Sequence, residues 1–173
     1  MKRVHVLRHA KSAWGDEGLD DHERPLSPRG HRAVGLLAAH CARTGVQPDV
    51  VLCSTAVRAR ATLAGLLGAF ARRPAVRTSK TLYCAGVAPY EQALRRLGAD
   101  VAVAMVVGHN PDLQDLVLRL AATGQGLGRV RRKFPTGALA TIDLAIAAWS
   151  DLAPATGQLV HYVVPADLES AVT

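Results

Sequence analysis

The sequence predicts a single-domain, three-layer α/β/α sandwich over residues 1–173, built on a mainly parallel sheet. Three observations carry this expectation. Short apolar runs alternate with longer amphipathic segments along the whole chain, the pattern of strands joined by crossover helices. The run Val101–Val107 is unbroken by a polar residue, as expected for a strand covered on both faces. At 173 residues, with no internal repeat and no linker, the chain has the size of one domain with a substantial core.

The elements follow in order. Val4–Leu7, bounded by charge, is a short buried strand. The segment Lys11–Pro28 is rich in Gly, Asp and Pro and reads as a loop. Ser27-Pro28 opens a helix, since Ser caps and Pro suits the first turn. That helix is expected from Arg29 to Arg43, burying Val34, Leu37 and Cys41, with Gly45 as its stop. A strand at Asp49–Cys53 leads through Ser54-Thr55, a candidate cap, into a helix from Val57 to Arg72. Val76–Thr78 reads as an edge strand and Tyr90–Leu97 as a helix. After Val101–Val107, Asn110-Pro111-Asp112 opens a helix ending near Ala122. Gly124–Gly128 and Arg129–Lys133 are expected to form a flexible, then basic, connection. Ala138–Leu144 and Val160–Val164 supply two late strands.

Composition narrows the functional classes. Hydrophobic residues make up 49% and charged residues 20%, ordinary for a globular protein. No apolar run reaches the length of a membrane span, and the start lacks the apolar segment of a secretion signal. Cys41, Cys53 and Cys84 show no metal-ligand spacing and are read as small buried thiols in a reducing cytoplasm. The net charge is +7, with Arg supplying 17 of the 21 basic residues. Such a surface favours anionic partners. Nucleic acid is not expected, because the few aromatics are not interleaved with the basic residues. The basic segment Arg129–Lys133 is either a solvated loop or a docking surface for an acidic partner. Oligomeric state is left open.

The chemistry-bearing residues sit at three strand ends. The first strand ends in Arg8-His9, the second leads to Arg58, and the Val101–Val107 strand ends in Gly108-His109-Asn110. In open α/β sheets, ligands bind beyond the carboxyl ends of the strands, beside helix N-termini that favour anions. Two arginines and two histidines would therefore converge in one pocket, suited to phosphate and containing a nucleophile. A metal pair of His5 and His9 lacks any evident third ligand, and no metal or other cofactor is expected. Cys53 and Arg58 lie one residue too close for a cysteine-based phosphatase loop. His22, His31, His40 and His161 are assigned to surface or structural roles.

Arg8-His9-Ala10 resembles the Arg-His-Gly signature of the histidine phosphatase superfamily, which includes the cofactor-dependent phosphoglycerate mutases. Ser54, Arg58-Ala59 and Thr62 are similar to its Ser-x-x-x-Arg-Ala-x-x-Thr segment, and Gly108-His109-Asn110 to its second histidine motif. Arg24–Gly30 and Lys133–Ala138 further resemble the short bacterial branch typified by the phosphohistidine phosphatase SixA. The resemblance implies a phosphoglycerate mutase-like fold and catalysis through a phosphohistidine on His9. It implies that Arg8, Arg58 and His109 hold the phosphoryl oxygens. Lys11, Ser12, Arg24 and Lys133 are candidates for the substrate rim. The expected partner is a phosphorylated substrate, with a phosphohistidine-bearing protein as the leading choice.

Two departures matter. Ala10 replaces the signature glycine, and Gly15 stands where mutase-like members carry asparagine. More telling, Val76–Tyr90 contains no carboxylate, although mutase-like members place their general acid there; Glu91 falls in the next helix. An alkyl phosphate needs a proton donor to leave, whereas a phosphorylated imidazole protonated on its far nitrogen does not. Asp16, Glu17, Asp20, Asp21 and Glu23 remain alternatives if their loop swings in. The rival readings are therefore a general acid-type phosphatase for small phosphate esters and a catalytically idle basic binding module.

Overall fold

The structure is a computed structural model and describes residues 1–14 and 18–170. It is an α/β sandwich around a seven-stranded mixed sheet. The strands are β1 (Lys2–Arg8), β2 (Val50–Ser54), β3 (Ala75–Ser79), β4 (Val103–Gly108), β5 (Ala121–Thr123), β6 (Leu139–Leu144) and β7 (Gly157–Val163). Their order across the sheet is β3-β2-β4-β1-β6-β7-β5. Strands β3, β2, β4 and β1 are mutually parallel, β6 runs antiparallel between β1 and β7, and β5 lies parallel to β7.

Strand alternation decides which residues face which layer. Val4, Val6, Ala104 and Val106 pack with Leu94 and Leu116, under α3 (Ala88–Arg95) and α4 (Asp112–Leu120). Leu7, Met105 and Val107 pack with Leu37, Leu63 and Leu168 on the other side. There the covering helices are α1 (Pro28–Thr44), α2 (Val57–Leu66) and α6 (Pro165–Ser170). Ser27 caps α1 by accepting the Gly30 N–H at 3.1 Å, and Gly45 ends it at φ 68°, as expected. Gly65 lets α2 approach α1: a Cβ there would stand 2.2 Å from Val34 Cγ1.

Several sequence expectations need correction. The second helix stops at Leu66 and tightens into a 3₁₀ turn, Leu67–Ala69, instead of reaching Arg72; Gly68 weakens continuation there. Ala121–Thr123 leaves the helical path to pair with β7. The connection expected at Gly124–Lys133 contains α5 (Leu127–Arg132), anchored by buried Leu127 and Val130. Asn110 and Thr55 do not cap. Pro111 holds the N-cap position of α4, while Ala56 precedes α2 and gives its N–H to Ser54 Oγ at 3.2 Å. The last strand begins earlier than expected, at Gly157, and α6 was not foreseen. Among the described residues no helix is long and apolar enough to cross a membrane.

Candidate active site

The parallel strands β1, β4 and β2 are neighbours, so their carboxyl ends open side by side. The turn after β1 carries His9, the start of α2 carries Arg58 and the turn after β4 carries His109. The His9 and His109 rings lie 5.1 Å apart between centroids. Arg58 Nε donates to His9 Nε2 at 3.3 Å. Arg8, His9, Arg58 and His109 all line one cavity of about 240 Å³. The expected convergence of the four residues is present.

The turn holding His9 is tied at several points. Ala10 N–H donates to Thr62 Oγ1 at 3.0 Å, and that hydroxyl donates to the Arg58 carbonyl at 2.7 Å. Thr62 thus links the histidine turn to the helix bearing its arginine. Gly30 allows α1 to press on the same turn: a Cβ there would meet the Lys11 carbonyl oxygen at 2.1 Å. Ala10 is fully buried and has no positive φ, so the missing signature glycine costs the backbone nothing.

The imidazole of His9 has a defined tautomer. Nδ1 lies 2.8 Å from the Ala10 carbonyl oxygen. That oxygen can only accept, so the ring proton sits on Nδ1 and Nε2 presents its lone pair to the cavity. Burial first, then the charges of Arg58, Arg8 and Arg24, depress the His9 pKa to about 4. His9 is therefore neutral near pH 7. Burial, with His9 and Arg58 adding to it, depresses His109 further, to about 3. Ser54 Oγ lies 2.8 Å from His109 Nε2 and also accepts the Ala56 N–H at 3.2 Å. His109 Nδ1 is buried without a partner among the described residues.

Arg58 is held on every side. Nη2 meets Asp21 Oδ2 at 2.9 Å and Nη1 donates to the Asp21 carbonyl. Asp21 is one of the loop acids that the sequence leaves open, and among the described residues it is the one that meets Arg58. Its carboxylate also accepts from Tyr83 Oη at 2.5 Å and from Arg24 Nη1 at 2.8 Å. Those contacts, Tyr83 foremost, hold it far below the usual carboxylate range. Glu91 is elsewhere, buried and paired with Arg119 at 2.6 Å. Asp16 and Glu17, and likewise Gly15, lie outside the described residues.

Of the rim candidates, Lys11, Ser12 and Arg24 line the cavity that holds His9, and Arg24 Nη2 donates to Ser12 Oγ at 2.8 Å. Lys133 does not; it lines the neighbouring groove. Sequence reasoning missed Tyr83, whose ring stands edge-on to His109 at 5.2 Å, whereas His22, bonded to Thr55 at 2.9 Å, fits the surface or structural role expected of it. Tyr83 sits in no pattern that would single it out. Cys84, expected to be buried, is exposed at the cavity, whereas Cys41 and Cys53 are buried as expected. His40, expected to be surface or structural, is buried and lies 3.0 Å from His161, Nε2 to Nε2. His5 is also buried and bonds Thr141 at 2.9 Å. Among the described residues no three His, Cys, Asp or Glu side chains group as a metal would require.

A family model described as histidine phosphatase superfamily (branch 1) matches residues 4–82. An uncharacterised protein of Mycobacterium tuberculosis is 40% identical over 163 residues, covering 92% of this chain and 99% of that protein. A solved structure from Nakamurella multipartitia, described as a candidate phosphohistidine phosphatase SixA, is 31% identical with a TM-score of 0.80. The match covers 95% of this chain and 96% of that one. The chain belongs to the histidine phosphatase superfamily. Within it, this phosphatase is SixA-like. The protein histidine phosphatase SixA, solved with tungstate, superposes with a TM-score of 0.78 at 25% identity over 96% of this chain and 99% of that one.

The depressed histidines make stability pH-dependent with a definite sign. His5, pushed by burial to about 4, behaves like His9 and His109. In each case the unfolded chain, at the ordinary value of 6.5, binds the proton more readily. Their contribution is complete above pH 6.5 and is lost as pH falls from there toward 4. Thermal melts at stepped pH should show Tm falling through this window. His5→Asn, which keeps a hydrogen-bonding atom near Thr141, should flatten the fall; an unchanged slope would contradict the assignment.

Proposed function

We propose that this histidine phosphatase hydrolyses phosphoryl groups through a phosphohistidine on His9 Nε2, and that its substrate is phosphohistidine in a protein. The observation that carries the reading is the His9 tautomer: Nδ1–H is committed to the Ala10 carbonyl while a neutral Nε2 faces two arginines. Nε2 attacks phosphorus in line as the bond from phosphorus to the leaving nitrogen breaks. The electron pair goes to the departing imidazole, whose far nitrogen carries a proton, so it leaves neutral. Water then attacks the His9 phosphoryl group, releasing phosphate and restoring Nε2. Arg8 and Arg58 hold the equatorial oxygens with planar, fixed donors, and His109 Nδ1, unpartnered among the described residues and protonated in this scheme, donates a further bond. The arginines and Nδ1–H supply the positive field, and no metal has a role in this scheme.

The choice of a phosphoramidate over an ester rests on Asp21. Among the described residues it is the carboxylate that meets Arg58, and three donors keep it ionised. A carboxylate held that way has no proton to give a poor alkoxide. The test is a leaving-group series. Phosphohistidine peptides, phosphoramidate and aryl phosphates of acidic phenols should turn over far faster than alkyl phosphates. Tungstate or vanadate should compete with substrate, and chelators should have no effect. Asp21→Asn should leave phosphohistidine turnover within about threefold, well short of the roughly 10²–10⁴ lost with a general acid. A larger loss, or rapid hydrolysis of phosphoserine peptides, would transfer the reading to the ester phosphatase.

A further inference from the structure

The catalytic cavity opens into a larger groove. Arg8, Lys11 and Thr136 line both, and the groove has a volume of about 510 Å³. Lys133, Pro135 and Val164 in turn wall both the groove and a third depression of about 230 Å³ beside α5. The three form one track leading from His9 toward Arg132.

The track has an apolar floor and a cationic rim. Ala33, Pro135 and Val164 supply the floor. Lys11, Arg29 and Lys133 stand on the groove rim, where Glu169 is the one carboxylate among the described residues of the wall. Among the described residues, Lys11, Arg29, Arg132 and Lys133 form no ion pair, whereas Arg129 is neutralised by Asp167 at 2.7 Å. Cations that pair with no carboxylate among the described residues, beside apolar surface, suit a polypeptide carrying Asp and Glu. Nucleic acid fits poorly, because it binds such grooves by stacking bases on free aromatic faces. Of the aromatic residues along the track, Trp14 carries the Arg24 guanidinium over its ring at 4.6 Å, and Tyr162 stacks on Phe134 at 5.8 Å and lies under Arg129 at 5.2 Å. The Tyr162 hydroxyl is given to the Lys133 carbonyl.

We propose that this track docks an acidic segment of the phosphorylated partner protein, next to the residue whose phosphoryl group enters the catalytic cavity. The proposal rests on the protein-substrate reading above, and docking is measured separately from turnover. Two fluorescent, unphosphorylated peptides are compared by anisotropy at low ionic strength, one rich in Asp and Glu and one with Asn and Gln in their place. The acidic peptide should bind about tenfold or more tightly, with the advantage shrinking as salt is added. Arg29→Glu and Arg132→Glu should each remove most of that advantage while leaving aryl phosphate hydrolysis unchanged. The same variants should raise KM, with kcat unchanged, for a phosphohistidine version of the acidic peptide. Equal binding of the two peptides, or binding indifferent to both substitutions, would overturn the docking assignment. Tighter binding of an oligonucleotide of equal charge would overturn the choice of a protein partner. If the acidic peptide binds as expected but its phosphohistidine form is not hydrolysed, docking stands and the phosphohistidine reading falls.

Discussion

Replacing His9 with alanine is expected to lower kcat by about 10⁴-fold or more, because the proposed mechanism passes the phosphoryl group through His9 Nε2. The variant should still fold. His9 sits in the turn after β1, and the neighbouring backbone keeps its bonds through Ala10 N–H to Thr62 and His9 N–H to the Gly108 carbonyl. The comparison needs two readouts, single-turnover labelling with a phosphorylated substrate and a thermal melt. Wild-type protein quenched during turnover should carry an acid-labile, base-stable phosphoryl group that His9→Ala lacks. Turnover that survives the substitution, or a label that persists on another residue, would end the proposed mechanism.

Arg58→Ala should cost about 10²–10⁴-fold in kcat/KM, the range for losing a preorganised cation at a transferring phosphoryl group. The guanidinium is 5% exposed, so its charge acts across little water. Arg58→Lys should recover only a small part of the activity. An ammonium cannot keep the two-point hold on Asp21 while reaching toward His9 Nε2, a geometry that needs the planar fork. A lysine variant with near-normal kcat would show that charge alone, without fixed orientation, is what the site uses.

Arg8, His9, Arg58 and His109 were legible because each lies at or just beyond the end of a short apolar strand that gives way to polar sequence. Local patterning therefore located the strand ends, and parallel α/β geometry then put them on one edge. Other features depend on tertiary placement. Asp21 and Tyr83 meet Arg58 and each other across loops with no period of their own, so the sequence could not rank Asp21 among its neighbouring acids and gave no sign of Tyr83. Strand β5 is three residues long and exists only by pairing with β7. Helix α5 buries Leu127 and Val130 alone, too few positions to display a helical period beside Gly126 and Gly128. The antiparallel direction of β6 was also invisible, since alternation along a strand is the same for either direction.

The sheet order carries a consequence for how the enzyme comes into being. Strand β4 lies between β1 and β2, so the turn with His9 and the helix with Arg58 have no shared sheet edge until β4 enters. The first two strands to leave the ribosome cannot assemble a partial site and wait for improvement. They require a segment ending at Gly108, some fifty residues beyond β2, and such non-local closure is slow relative to helix formation. Catalytic competence should consequently appear all at once during synthesis, and a nascent chain lacking β4 should be inert toward phosphorylated proteins it meets.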